Sequence, residues 1–531
     1  MTGERAGERR PALTALALAG PLILLVVLCA RVDARSSTSA HAHVFLAQEL
    51  VLVLGAAALA AAAAWSSLRV GRDAVALVTG VLVALELASA AGAPAPWLAV
   101  RSATLWISGL VVFLVARAIG RDARDLGLVA LLLPLGVAAG SVLVEALGVV
   151  RLSALRHAPG GLLGERNVAA ELLVAGAPVV AYAGLADGAA WRRRAALVVA
   201  AISTTAVVLT RTRSAWLAGL VLLVVLALVL FRARDGANET GRRARRVGIA
   251  VALGLSLALV LPTTLRWRSA HPYRDSLAHL VDPSTASGGG RLVQYATTWR
   301  MVVAHPGLGV GPGNWAGHYL SFARRGDPTV HEGLSPVNRL PNSDLLGFAA
   351  ERGLVATFVL AALGALLVRQ GGPSRAHRAI RRATLLAALV MASLDAVLQT
   401  PAALFLVAWV VGLSSTAARA EVESSRYGER SSDRDRVYAF AAVALVAAAV
   451  PAARRVASLQ VASRARDTGD FDRAARLDPG DVALRLVAAE GWIAEGRCDR
   501  ARAHLDAVTR SSPASPARAE LEARCTSLTA R

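Results

Sequence analysis

The chain has 531 residues, 55% hydrophobic and 18% charged, with a mean hydropathy of +0.50. That balance excludes an ordinary soluble domain and reads as an all-α polytopic membrane protein. A net charge of +21 would suggest nucleic acid in a soluble protein, but the 58 basic residues are all arginines gathered mostly in short loops between apolar runs; this positive-inside pattern argues against a nucleic-acid partner and for membrane lipids.

Arg5, Arg9 and Arg10 precede an apolar run from about Pro11 to Ala30. It is long for a signal peptide and no small-x-small cleavage site follows, so it reads as an anchor with its N-terminus inside. Further spans are expected near 44–65, 74–93, 97–117, 125–149, 167–187, 195–210, 214–232, 247–266, 344–369, 383–399, 402–417 and 436–453, giving 12 to 13 transmembrane helices. Alternating them from an inside start puts the arginine-rich loops in the cytoplasm. The same alternation puts a long loop of about 267–343, and the tail after residue 453, outside.

Residues 1–417 thus form a polytopic membrane domain, and the mixed-charge stretch 418–435 reads as a cytoplasmic linker. An additional span over 436–453 leads to an extracytoplasmic tail, 454–531. In that tail Pro479 and Pro513 lie 34 residues apart, the period of a tetratricopeptide helix pair, although only one full repeat and one shortened copy fit. A small helical hairpin docking on the membrane domain or on a protein partner is the expectation, an unspecialised hairpin the plain alternative. Cys29 reads as a core residue, while Cys498 and Cys525 can be bridged if the tail is outside, as their geometry decides.

Four constellations carry chemistry. Thr210-Arg211-Thr212-Arg213 joins two apolar runs; the arginines either snorkel or clamp an oxyanion, since guanidinium donates bidentately and keeps its charge. Gly288-Gly289-Gly290-Arg291, in backbone expected to be turned, offers either another cation, with Trp299 eight residues on, or a flexible loop entering an amphipathic helix with a solvated arginine. The His305–Trp315 run has Gly309, Gly311 and Gly313 before Asn314. No buried strand precedes it and no Lys-Ser/Thr follows, so it fits a turn shaping an outside pocket rather than a nucleotide loop. Asn342-Ser343-Asp344 can cap the next helix or orient an acceptor hydroxyl. His41 and His43 lack a Cys or carboxylate partner for a metal.

Together with Gly164-Glu165-Arg166-Asn167 and Glu351-Arg352-Gly353, these motifs resemble, in order, the O-antigen ligase and polymerase superfamily of bacterial membrane glycosyltransferases. The resemblance covers roughly 100–417. It implies an enzyme on the outer face of the bacterial inner membrane that moves a glycan from an undecaprenyl diphosphate carrier to an acceptor glycan, lipid or protein. No nucleotide sugar, cofactor or metal is implied. Arg213 and Arg291, with Arg211 sharing the role, are implied to hold the diphosphate, whose developing charge needs fixed cations.

The family usually has His where this chain has Asn342. An amide cannot act as a base, so three readings stand. Asn342 only orients the acceptor; Asp344, His331 or His305 substitutes as base; or activity is lost. Two other function classes compete. A secondary transporter would use Glu49, Glu86, Glu145, Glu171 and Asp395 as a proton path, and a non-catalytic scaffold would recruit polysaccharide-assembly partners through the tail.

Overall fold

The structure, a computed structural model, describes residues 2–31, 40–66, 68, 73–153, 158–232, 239–265, 271–281, 287–331, 337–338, 340–416 and 432–529. These are mostly helical, with no strand among them. In chain order the first helices are α1 (Thr2–Cys29), α2 (Ala40–Trp65), α3 (Ala74–Ala91), α4 (Pro96–Ala118), α5 (Arg121–Ala130), α6 (Leu132–Ala146) and α7 (Arg166–Leu185). Next come α8 (Ala190–Thr210), α9 (Arg213–Arg232), α10 (Glu239–Val260), α11 (Pro272–Val281), α12 (Ser287–Ala304) and α13 (Trp315–Phe322). The last are α14 (Asp344–Arg369), α15 (Arg375–Leu394), α16 (Pro401–Leu413), α17 (Ser432–Ser463), α18 (Thr468–Leu477), α19 (Val482–Ala494), α20 (Cys498–Ser511) and α21 (Pro516–Thr529).

Nine helices among the described residues are long and apolar enough to cross a membrane, fewer than the 12 to 13 expected, and two shorter apolar ones lie in α9 and α16. The shortfall has a physical cause. Four arginines enter the first half of α10, and four enter the first half of α15, diluting their apolar runs. The bundle is nevertheless a multi-pass membrane protein.

Its centre is α16, in which every residue is buried. A helix apolar all round belongs in a core, and α16 packs chiefly on α4 and also on α7, α15, α2 and α1. Thr400 and Pro401 set its start, with Pro401 at the first position, where a missing amide costs nothing. The expected span 125–149 is two helices, α5 and α6, meeting at Leu131. The expected span 383–399 stops at Leu394, and the chain then runs non-helically to Thr400. Gly288–Gly290, expected to turn, instead open α12. Glycine costs a helix only about 1 kcal/mol, and the anchored Arg291 and Gln294 behind it offset that.

Hydrogen bonds knit the loops into two ends. At one end Ala95 is held by Asn314, Ser89 by Leu308, Thr264 by Ala146, and Arg31 by Leu152 and Gly161. At the other, Arg117 holds Asp73 and Thr416, Arg243 holds Asp187, and Arg381 donates to Gly371 and Ser414.

Of the expected linker, residues 418–431 lie outside the described residues, and Ser432 already opens α17. That helix packs extensively on α2 and runs on to Ser463, ten residues past the expected end of the span. Four short helices follow, each packed on the next. Pro479 and Pro513 each come just after a helix end, and a disulfide joins Cys498 to Cys525.

Candidate functional site

At the end of the bundle that holds Asn314 and Ala95, five separate stretches meet around Asp395, the residue that stops α15. Arg291, in the first turns of α12, donates Nη2 to the Asp395 carboxylate at 3.2 Å and Nη1 to the Leu394 carbonyl at 2.6 Å. Asn167, at the start of α7, donates to the same carboxylate at 3.4 Å, and its own carbonyl oxygen accepts from Thr212 at 3.2 Å. Arg213, opening α9 directly after Thr212, is electrostatically coupled to both Arg291 and Asp395. The Asp344 amide donates to the Asp395 carbonyl at 3.1 Å. Two guanidinium groups from different helices thus stand near one carboxylate, in a cluster that Glu165, Glu171 and Asp344 also reach electrostatically.

Asn342 is fixed through its backbone. Gln294 accepts from its amide at 2.6 Å and Tyr295 donates to its carbonyl at 3.0 Å. Burial raises the Tyr295 phenol above its ordinary pKa, which keeps it a donor. No hydrogen bond engages the half-buried Asn342 side chain among the described residues. Ser343 caps α14, accepting from Leu346 at 3.3 Å. Asp344 is turned the other way, its Oδ2 accepting from the amides of Val397 and Leu398, both at 2.7 Å.

The other expected residues lie apart from this cluster. Arg211 ends α8 in the left-handed region with φ 56°, and its Nε donates to Ser276 at 2.9 Å. Burial and the nearby Arg166 oppose its charge, while Tyr273 and Asp275 support it. His331 is exposed, and His305 stands edge-on to Phe322 with ring centroids 6.0 Å apart. Among the described residues no hydrogen bond links either histidine to Arg291 or Asn342.

The glycine run docks on a break in α14. Gly353, at φ 80° and ψ 173°, interrupts that helix, and the exposed backbone is taken up by the run. Val310 donates to the Ala350 carbonyl and Gly311 to the Glu351 carbonyl, both at 2.9 Å, while Leu354 donates to the Pro306 carbonyl at 2.8 Å. A Cβ on Gly309 would meet the Glu351 carbonyl at 2.4 Å. Asn314 is buried, exchanging hydrogen bonds with Ala95, and Gly313 packs under the Leu98 carbonyl. Arg352 lies buried between Glu86 and Glu351 beneath the break. This assembly lies at the far end of the first segment of α14 from Asn342, about 13 Å of helix away.

Sequence reasoning weighed Asp395 only as a proton-path acid and did not single out Tyr295 or Gln294. The available signal was Asp395 standing as the one acid between two apolar runs, just before the Gln399-Thr400-Pro401 break. The other acids of that path are each answered locally. Glu49 pairs with Arg101, Glu86 with Arg352, Glu145 accepts backbone amides from Leu152, Ser153, Gly160 and Gly161, and Glu171 accepts from Ser214.

No curated protein matches the chain. Residues 198–361, from within α8 to within α14, match the family model described as O-antigen ligase. The matched segment contains Arg213, Arg291 and Asn342 but neither Asn167 nor Asp395, which the fold brings in from outside it. Over this segment, a little under a third of its length, the chain is similar to the O-antigen ligase family.

Proposed function

We propose that the protein transfers a glycan from an undecaprenyl diphosphate carrier to an acceptor hydroxyl at the outer face of the bacterial inner membrane. The observation that carries this reading is the pairing of Arg213 and Arg291 around Asp395 beside Asn342. The two guanidinium groups hold the diphosphate oxygens. Asp395 and Asn167 keep Arg291 and the neighbouring turn in position, and the Asn342 amide orients the acceptor hydroxyl. The acceptor oxygen bonds to the anomeric carbon as the bond from that carbon to the phosphate oxygen breaks. The electron pair leaves with the diphosphate, whose charge the arginines stabilise, and the hydroxyl proton passes to the departing diphosphate.

Asp344 is the competing acceptor for that proton: its Oδ2 is held by two backbone amides, while its Oδ1 is buried with no hydrogen-bond partner among the described residues. The outer-face assignment rests on the two knitted ends. The end opposite the site carries the loops of Arg117, Arg243 and Arg381, as the positive-inside rule requires of a cytoplasmic face. The bundle end that carries the site also carries the disulfide-bearing tail, and disulfides persist in oxidising compartments.

The test compares membranes carrying Arg291→Ala or Arg213→Ala with wild type. Carrier-linked glycan is expected to accumulate and surface polysaccharide to fall, the transfer rate dropping by roughly 100- to 1,000-fold, the usual loss when one charge-stabilising donor is removed. Unchanged polysaccharide in both variants overturns the proposal.

A further inference from the structure

The outer surface of α12 is apolar in a way an aqueous loop helix is not. Leu292, Trp299 and Val303, one to two turns apart, are 50%, 52% and 63% exposed, while Gln294, Thr297, Thr298, Met301 and Val302 face inward and are buried. The helix carries Arg291 and Arg300 and no acid, a composition suited to an anionic lipid surface.

Its position relative to α14 identifies what covers that stripe. α12 lies along the first segment of α14, tied at one end by the Gln294–Asn342 and Tyr295–Asn342 hydrogen bonds and at the other by Leu354 donating to Pro306. The residue after Leu354 is Val355, and Phe358 follows one turn later; they are 53% and 70% exposed on a membrane-spanning helix, where only lipid surrounds such side chains. The stripe on α12 is therefore continuous with a lipid-facing surface.

We infer that α12 is an interfacial helix seated in the outer leaflet, with phospholipid covering Leu292, Trp299 and Val303. Arg291, on the inner flank of the same helix, then stands at headgroup depth. An anionic group on a lipid reaches it without leaving the bilayer. This seat rests on exposure and on the contacts with α14, and it holds whatever reaction Arg291 serves.

The test uses single cysteines at position 303, at 358 as the span control and at 331 as the exposed-loop control. The background is Cys29→Ser, because Cys29, exposed rather than in the core as its apolar run suggested, is the one free cysteine among the described residues. Each is labelled with an environment-sensitive nitrobenzoxadiazole in the full chain, reconstituted in phosphatidylethanolamine–phosphatidylglycerol vesicles. Replacing the lipid with its chain-brominated form is expected to quench the labels at Val303→Cys and Phe358→Cys by similar fractions, leaving His331→Cys unaffected. Quenching at 303 by aqueous iodide instead overturns the inference. So does a label at 303 shielded from both quenchers, which would mean that protein covers the stripe. Activity does not enter the readout, so failure of the glycan-transfer reading leaves it interpretable.

Discussion

Asp395 bonds to Arg291, one of the two arginines that the proposed reaction uses, and its geometry suits positioning. It accepts from Arg291 and Asn167, and its backbone carbonyl accepts from Asp344. In Asp395→Asn the amide preserves shape but no longer answers the Arg291 charge, so the guanidinium loses its preferred direction. A hydrogen bond to a charged group is worth about 1.5–3 kcal/mol, so kcat/KM should fall by roughly 10- to 150-fold. A positioning role makes that loss fall on kcat as well as on KM for the carrier-linked donor, because in the proposed reaction Arg291 both holds the diphosphate and stabilises the charge it gains. A pH–rate profile whose acid limb disappears in the variant would make Asp395 a proton acceptor in the chemistry and refute the positioning assignment. Steady-state kinetics on the purified variant separates the two.

At the scale of elements, the broken helix α14 organises the site. Its first segment runs from Asn342 to the glycine run, and its second, beyond Gly353, descends through the bundle. Gly353 has a backbone conformation that is essentially glycine's alone, and a Cβ there would meet the Gly307 carbonyl at 1.9 Å. Gly353→Ala should therefore cost about 1–3 kcal/mol in backbone strain alone, with the displacement of Gly307 added to it, and lower the thermal midpoint of the detergent-solubilised protein. An unchanged midpoint would mean that the break is not what holds the glycine run. Much of this element was legible in advance. The expected span 344–369 has the observed limits because Ser343 and Asp344 mark its start and Arg369 ends a run that is apolar apart from Glu351 and Arg352, and the density of Gly and Pro from Pro306 to Gly313 declares a turn. What could not be read was that the turn's backbone partners lie inside that same helix, since Gly353 in an apolar sequence resembles any tolerated helical glycine. The meeting of Arg213 with Arg291 was legible as a motif order. Their shared partner was not, because Asp395 lies more than a hundred residues from Arg291 and only the fold joins them.

At the scale of the molecule, the tail bears directly on the end that carries the candidate site. Gly317 of α13 lies so close to the end of α20 that a Cβ would meet the Ser511 carbonyl at 1.8 Å, and Gly480 packs on Leu98 of α4. α13 is in turn tied to the α14 break, where the Trp315 amide donates to Glu351 at 3.3 Å. The helix that presses on α13 is the one whose first residue, Cys498, is bonded to Cys525 of α21. Closing a loop of this length, 27 residues apart in sequence, stabilises by about 3–4 kcal/mol in the chain-entropy account. Replacing both cysteines by serine should therefore loosen α20 and α21, and the loosening should reach α13 through Gly317 while the fully buried α16 stays unaffected. Amide hydrogen exchange on the full chain checks this: faster exchange is expected in α20, α21 and α13 together. Faster exchange confined to α20 and α21 would show that the tail rides on the membrane bundle without bracing the loop, and the contact at Ser511 would then carry no mechanical load.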